Sequence, residues 1–302
     1  MPLPKRVVIL ALFVCACKGA EKRSTGAVAP DSAAMIAAAL DTVVLVGAGD
    51  IADCQEDGDE QTARLLDSIP GTVFTAGDNA YRNGTDSEFA SCYAPSWGRH
   101  KARTRPSPGN HDWRSADGGP YFSYYGAQAG EAGRGYYSYN LGAWHIISLN
   151  SNINMKAGSP QERWLRADLA ATTAACVLAY WHHARFSSGT EHGNASKTAP
   201  LWQALYDLGA DVVVAGHEHN YERFAPQTAT GMADSSRGIR EFVVGTGGAD
   251  HYAFGPPIAN SEVHNGDTWG VLKLMLEPGA YQWQFIPVAG KTFSDSGSAR
   301  CH

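Results

Sequence analysis

A chain of 302 residues, 44% of them hydrophobic, can bury one large core or two small ones. With 24 Lys and Arg against 30 Asp and Glu, the formal charge is −6. No long charge run occurs, so the basic footprint that nucleic-acid binding needs is missing and such a partner is not expected.

In chain order, the first signal is one of export. Lys5 and Arg6 supply a positive region, and residues 7–16 form an apolar stretch of signal-peptide length, too short to span a bilayer. Within it, Val14-Cys15-Ala16-Cys17 resembles a bacterial lipobox, which leaves two outcomes open: an ordinary cleaved signal over 1–17, or lipidation of Cys17 and anchoring to the cell envelope. Residues 18–40, rich in Ala, Ser, Gly and charge, read as a flexible tether. Folded structure is expected from Asp41 to the C-terminus as one domain, in a periplasmic or extracellular setting. Beyond the signal stand Cys54, Cys92, Cys176 and Cys301, an even number in an exported chain, and these allow three pairings. Cys54 and Cys92 each follow one of the first two motifs described below, which favours pairing them. Cys176 with Cys301 would then pin the C-terminal tail to a core strand. Free buried cysteines are the alternative.

The runs at 43–46, 73–76, 146–149, 177–180 and 212–215 are short and almost continuously apolar, as in strands covered on both faces. Helical patterns lie between several of them. Ser159-Pro160-Gln161-Glu162 reads as a capping box with proline at the first helical position, and 196–208 places Leu201, Leu205 and Leu208 on one face. Strands alternating with helices argue for an α/β layered fold. Tyr121, Tyr124, Tyr125, Tyr136, Tyr137 and Tyr139 read as a β-rich aromatic insert packed on a sheet, with a role in lining a pocket as the alternative. Trp144 and Trp181 sit in strand patterns and read as core. Past Glu241, Phe242-Val243-Val244 runs into a glycine-rich turn. Leu272, Leu274 and Leu276 then alternate up to Pro278-Gly279, and Tyr281, Trp283 and Phe285 alternate after it, the pattern of a hairpin.

Five short segments each carry a metal-ligand residue just after an apolar run: Gly49-Asp50, Gly77-Asp78-Asn79-Ala80-Tyr81, Gly109-Asn110-His111-Asp112, His182-His183 and Gly216-His217-Glu218-His219. Any one alone is a common loop feature, and Asp50 or Asn110 in isolation reads better as a turn residue. Together, just beyond strand ends, they occupy the place where open α/β sheets collect binding sites, and they point to a two-metal hydrolase. A mixed oxygen and nitrogen donor set suits iron, zinc or manganese.

These motifs resemble the calcineurin-like metallophosphoesterase superfamily and, within it, the purple acid phosphatase branch, with Gly-His-Glu-His-Asn-Tyr-Glu-Arg from Gly216 to Arg223 the most characteristic segment. The resemblance implies a four-layer α/β/β/α sandwich of two mixed sheets, in the compact form without a fibronectin-like domain ahead of Asp50. It implies that Asp50, Tyr81 and His219 bind a first metal, that Asn110, His182 and His217 bind a second, and that Asp78 bridges both. The first metal would be Fe(III) held by the Tyr81 phenolate, and the second Fe(II), Zn or Mn. A histidine two residues after the first aspartate would mark diesterase branches, and that position is Ala52. An Asp-Arg-Gly would mark the protein phosphatases, and the chain reads Tyr81-Arg82-Asn83 instead. Ala52 also departs from the glycine usual in the purple branch.

The activity implied is hydrolysis of small phosphomonoesters by a hydroxide bound to the two metals. By resemblance His111 would contact the phosphate. His192, with Glu191 beside it, would supply the acid/base group, although the register there is one residue longer than in mammalian-type enzymes. His183 is expected to pack or to orient a neighbour. Two rivals stand: a phosphodiesterase or nucleotide hydrolase on the same cluster, and a non-catalytic surface module that binds metal or phosphate.

Overall fold

The computed structural model describes residues 41–302 together with the two N-terminal residues; the export signal, Cys17 and the tether lie outside the described residues. Six strands make one mixed sheet and seven make another. The first sheet contains β1 (Val43–Ala48), β2 (Thr72–Ala76) and β3 (Thr104–Ser107), which run parallel. The second contains β4 (Tyr137–Leu141), β5 (Trp144–Ser148), β6 (Cys176–His183), β7 (Val212–Gly216), β8 (Tyr221–Phe224), β9 (Arg240–Val244) and β10 (Ser261–Asn265). Back in the first sheet, β11 (Gly270–Glu277), β12 (Ala280–Pro287) and β13 (Ser296–Arg300) extend it antiparallel from β1. The spatial orders are β13-β12-β11-β1-β2-β3 and β10-β8-β9-β7-β6-β5-β4.

The apolar runs read as doubly covered strands are so. In β6, Leu178 and Tyr180 face the other sheet, while Val177, Ala179 and Trp181 face the opposite way. Beneath that outer face lie helix α2 (Pro160–Ala171) and helix α3 (Ala199–Asp207), contributing Leu165, Leu169, Leu201 and Leu205. Helix α1 (Gly58–Ser68) packs Ala63 and Leu66 against the first sheet, completing the α/β/β/α layering. Each fully buried Leu or Phe contributes roughly 1.5–3 kcal/mol of transfer free energy. Trp144 and Trp181 are fully buried, as expected.

Several local expectations are sharpened or corrected. Ser159 caps α2 by accepting from the Glu162 amide at 3.2 Å. The box is not reciprocal, because the Ser159 amide already donates to the Lys156 carbonyl and the Glu162 carboxylate takes the Gly158 amide at 2.9 Å. Leu208 does not share the apolar face of α3: the helix ends at Asp207 and Leu208 stands exposed. Tyr121, Tyr124 and Tyr125 lie on a short helix (Gly119–Tyr125) begun by Pro120, and only Tyr137 and Tyr139 lie on a strand. The rings of Tyr124 and Tyr125 pack with those of Phe89 and Tyr93. The β11–β12 hairpin forms about Pro278-Gly279, with Glu277 opposite Ala280 and Gly279 at φ +76°, as a turn with proline then glycine requires. Leu272, Leu274, Leu276, Tyr281, Trp283 and Phe285 all enter the core.

Disulfides join Cys54 to Cys92 and Cys176 to Cys301, with Cα separations of 5.1 and 5.5 Å. The second ties the tail to the first residue of β6. Two such links fit an oxidising compartment. Among the described residues no helix is long and apolar enough to cross a membrane.

Candidate metal centre

The parallel strands of the two sheets deliver their C-terminal ends to one place. Asp50 follows β1, Asp78 follows β2, Asn110 follows β3, His182 is the last residue but one of β6 and His217 follows β7. Cross-sheet bonds fix the meeting: the Gly49 amide donates to the Val244 carbonyl at 2.8 Å, and His182 Nδ1 bonds the Ala76 carbonyl at 2.9 Å.

To turn side chains inward at these ends, the backbone adopts conformations that L-residues seldom hold. Asp50, Asp78 and His217 have φ of 59°, 49° and 74°. Such residues cost about 1–3 kcal/mol each and concentrate at functional sites. Each carboxylate also secures the next segment: Asp50 Oδ2 accepts the His217 amide and Asp78 Oδ1 accepts the His111 amide, both at 2.8 Å. Gly109 is needed for space, because a Cβ there would lie 2.0 Å from Asp78 Oδ1.

The side chains named from the sequence fall into two groups. In one, the Tyr81 hydroxyl donates to Asp50 Oδ1 at 2.9 Å and meets His219 Nε2 at 3.0 Å, with His219 Nε2 3.4 Å from Asp50 Oδ1. In the other, His182 Nε2 lies 3.0 Å from Asn110 Oδ1, 3.1 Å from His217 Nδ1 and 3.2 Å from Asp78 Oδ2. Asp78, His182 and His217 offer ligand atoms that all lie within 4.8 Å of one another. Backbone carbonyls set the tautomers. His182 Nδ1 faces Ala76 O and His219 Nδ1 faces Asp250 O at 2.6 Å, so each Nδ1 carries hydrogen and each Nε2 turns into the site.

The electrostatics are those of a cluster that competes for protons. Burial opposes charge on His182, but Asp78 and Asp50 outweigh it and lift its pKa to about 9. Burial likewise opposes charge on His219, and Asp50 with Asp250 lifts it to about 10. Burial and the neighbouring His182 hold His217 well below its ordinary value, leaving it a neutral imidazole. Burial, then Asp50 and Asp78, push the Tyr81 phenol well above 10. In Asp78 the upward push of burial is overcome by His182 and His111, and the carboxyl stays ionised.

His111 stands beside the cluster, its Nδ1 on the Arg82 carbonyl at 2.6 Å and its Nε2 3.8 Å from Asp78 Oδ2. The His192 ring stacks on that of His217, with centroids 3.8 Å apart and planes 16° apart, while the adjacent Glu191 is exposed. His183 bonds Ser151 at 2.7 Å through Nδ1 and packs its ring 4.3 Å from that of His217. Two cavities adjoin the cluster. One, of about 420 Å³, is lined by His183, Glu191, His192, Lys197 and His217, and the other, of about 330 Å³, by Asn110, Trp113, Arg114, Asn152, His183 and Lys197. A separate cavity of about 640 Å³, beside His145 and Asp168, opens at the other end of β5 and contains none of these groups.

Sequence reasoning missed several contributors. Buried Asp112 accepts from the amides of Asn79, Ala80 and Gly109 and from Asn79 Nδ2, locking the second motif to the third. Tyr125 donates to Asn79 Oδ1 at 2.9 Å. The Tyr252 ring stacks on His219 with centroids 3.8 Å apart. Asp112 could have been suspected from its place in Asn110-His111-Asp112; Asp250 and Tyr252 lie in a glycine-rich stretch that carries no ligand pattern.

Comparison with known proteins agrees with this geometry. The profile of the calcineurin-like phosphoesterase family matches residues 43–221, from the first residue of β1 to the first of β8. Purple acid phosphatase 15 of Arabidopsis thaliana is 27% identical over 197 residues, 53% of this chain and 37% of that protein. An uncharacterised protein of Mycobacterium tuberculosis, Rv2577, is 27% identical over 201 residues, 56% of this chain and again 37% of that protein. The matched part therefore spans little more than a third of these relatives. In fold, the chain is similar to a purple acid phosphatase from yellow lupin, with a TM-score of 0.70 at 19% identity over 86% of this chain and 54% of that one.

Proposed function

This chain belongs to the calcineurin-like phosphoesterase family, and from that premise we propose that it hydrolyses small phosphomonoesters at a dinuclear metal centre, in the manner of a purple acid phosphatase. The observation that carries the reading is the division of the cluster into Asp50, Tyr81 and His219 on one side and Asn110, His182 and His217 on the other, with Asp78 reaching the second group and linked to the third motif.

The donor chemistry fits two cations. Buried carboxylates, a phenol and imidazoles turn ligand atoms toward one another at hydrogen-bond distance, a mixed oxygen and nitrogen set that cations would take up in place of the shared protons. On this reading Asp50, Tyr81 and His219 would hold the first ion and Asn110, His182 and His217 the second, with Asp78 serving both. Tyr81 favours Fe(III) in the first place, since a hard trivalent ion is what would strip a proton from a phenol held this high; Fe(II), Zn or Mn would occupy the second. Two cations there would supply Lewis acidity toward phosphoryl oxygens and a nucleophile from water at mild pH.

The chain's own groups do the rest. His111, its Nδ1 proton committed to the Arg82 carbonyl, presents Nε2 toward Asp78 and the phosphate position. His192, over His217 at the cavity wall, would give a proton to the leaving oxygen as its bond to phosphorus breaks. Glu191 lines the same wall and would support that exchange. His183 and Ser151 brace His217 and His182 from behind. Residues 41–302 would act as one exported catalytic unit behind a signal at 1–17 and a tether at 18–40, with lipidation of Cys17 as a route to a membrane.

The test is the hydrolysis rate of an aryl phosphomonoester against the matching diester on metal-replete protein, with Asp78→Ala as the blank. Preference for the monoester is expected. Preference for the diester would move the chain to the diesterase class, and silence on both would favour a binding module.

A further inference from the structure

Between β6 and the short turn at Ser196–Thr198 the chain has no regular structure, yet its amides are captured at successive points by buried carboxylates. Glu241, on β9, accepts the Arg185 and Phe186 amides at 2.9 and 3.0 Å. Glu222, on β8, accepts the Ser188 amide at 2.8 Å and its hydroxyl at 2.5 Å. Glu218 accepts the His192 and Gly193 amides on a single oxygen, Oε1, at 2.7 and 2.6 Å. All of these acids have zero exposure, and burying a carboxylate is costly unless donors meet it.

Glu241 and Glu222 hold the base of the segment. Glu218 differs, because the amides it takes are those of His192 and its neighbour. Around it the packing is tight: a Cβ on Gly189 would come within 2.2 Å of Glu218 Cδ, and Gly193 turns with φ +62°. His192 itself is exposed, and its ring rests on His217. The backbone either side of the His192 side chain is therefore clamped, through one carboxylate oxygen, to the residue between His217 and His219.

We propose that Glu218 is a positioning residue that sets His192 over His217 so that its imidazole can protonate the leaving oxygen. This rests on the role given to His192 above. A group that delivers a proton matters most for a poorly acidic leaving alcohol and least for an acidic phenol. Misplacing it should then damage hydrolysis of an alkyl phosphate more than that of a nitrophenyl phosphate.

The experiment compares kcat and KM for these substrates, per bound metal, in wild type, Glu218→Ala, Glu218→Asp, Glu218→Gln, His192→Ala and the Glu218→Ala/His192→Ala double variant. Expected is a fall on the order of 10–100-fold in kcat for the alkyl phosphate in Glu218→Ala, in Glu218→Asp if Glu218→Ala does not fold, and a much smaller fall for the nitrophenyl ester. Gln keeps an acceptor oxygen for both amides and should restore most of the rate. The double variant should be no slower than His192→Ala. Equal losses on both substrates, losses that follow metal content, or multiplicative effects in the double variant would overturn the proposal. If His192→Ala leaves the leaving-group dependence unchanged, the role of His192 falls first and the proposal with it. If His192→Ala changes that dependence but Glu218→Ala does not, the proposal falls alone.

Discussion

The Tyr81 hydroxyl donates to Asp50 Oδ1 at 2.9 Å while meeting His219 Nε2 at 3.0 Å, so that one phenol links the ends of β1, β2 and β7. With ferric iron in the first place, this phenolate should give a visible charge-transfer band. Tyr81→Phe should lose that band and, in the cation-free protein, lower stability by about 1–3 kcal/mol by removing the hydroxyl that donates to the buried Asp50. Absorption spectra and thermal unfolding of the two proteins check both parts. A colourless native protein with two zinc or manganese ions would refute the iron assignment while leaving hydrolysis intact.

Proton competition gives a pH dependence with a definite sign. In the cation-free protein the pKa values of His182 and His219 are raised from 6.5 to about 9 and about 10. Stability from those charged imidazoles is full below 6.5 and is lost as pH rises through 9 and 10. Cations must displace the same protons, so loading at neutral pH should release protons and apparent affinity should rise with pH up to that range. Dye-monitored proton release during metal titration measures this.

Gly109→Ala places a methyl 2.0 Å from Asp78 Oδ1 and 2.1 Å from its amide nitrogen. Overpacking of this kind costs roughly 1–3 kcal/mol. Because the atom displaced belongs to Asp78, cation content should fall together with the unfolding midpoint, and metal analysis alongside calorimetry tests that pairing.

The Cys176–Cys301 link closes a long loop, with a sequence separation of 125. Cys301→Ser should lower stability by about 2–5 kcal/mol, with little change in turnover at temperatures where the protein stays folded, since the link lies at the start of β6 and the cluster at its end. Denaturant unfolding reads the first part and a rate assay the second.

What could be read in advance follows physical lines. Runs such as 212–215 are apolar throughout because the seven-stranded sheet is covered on both faces, and that pattern survives in sequence. Asp50, Asp78 and His217 were legible because strand-end residues aimed at a common point recur in short local motifs. Asp112, Tyr252 and Glu218 act through partners distant in sequence or through backbone amides, and no spacing rule records that. Ser159 illustrates the limit at the scale of one bond: its side-chain cap was readable, but the diversion of Glu162 to Gly158 depended on the turn that occupies the Ser159 amide. The aromatic segment misled because tyrosine favours strands by propensity, while Gly119-Pro120 starts a helix.

Asp78 is the residue proposed to join two cations in one catalytic centre. The most direct test of that role is metal content per chain measured together with aryl phosphomonoester turnover, in wild type and in Asp78→Ala. Two cations per chain in the native protein, with both occupancy and turnover lost in the variant, is the predicted result. A variant that keeps native turnover, or a fully active native protein with a single bound cation, would contradict it.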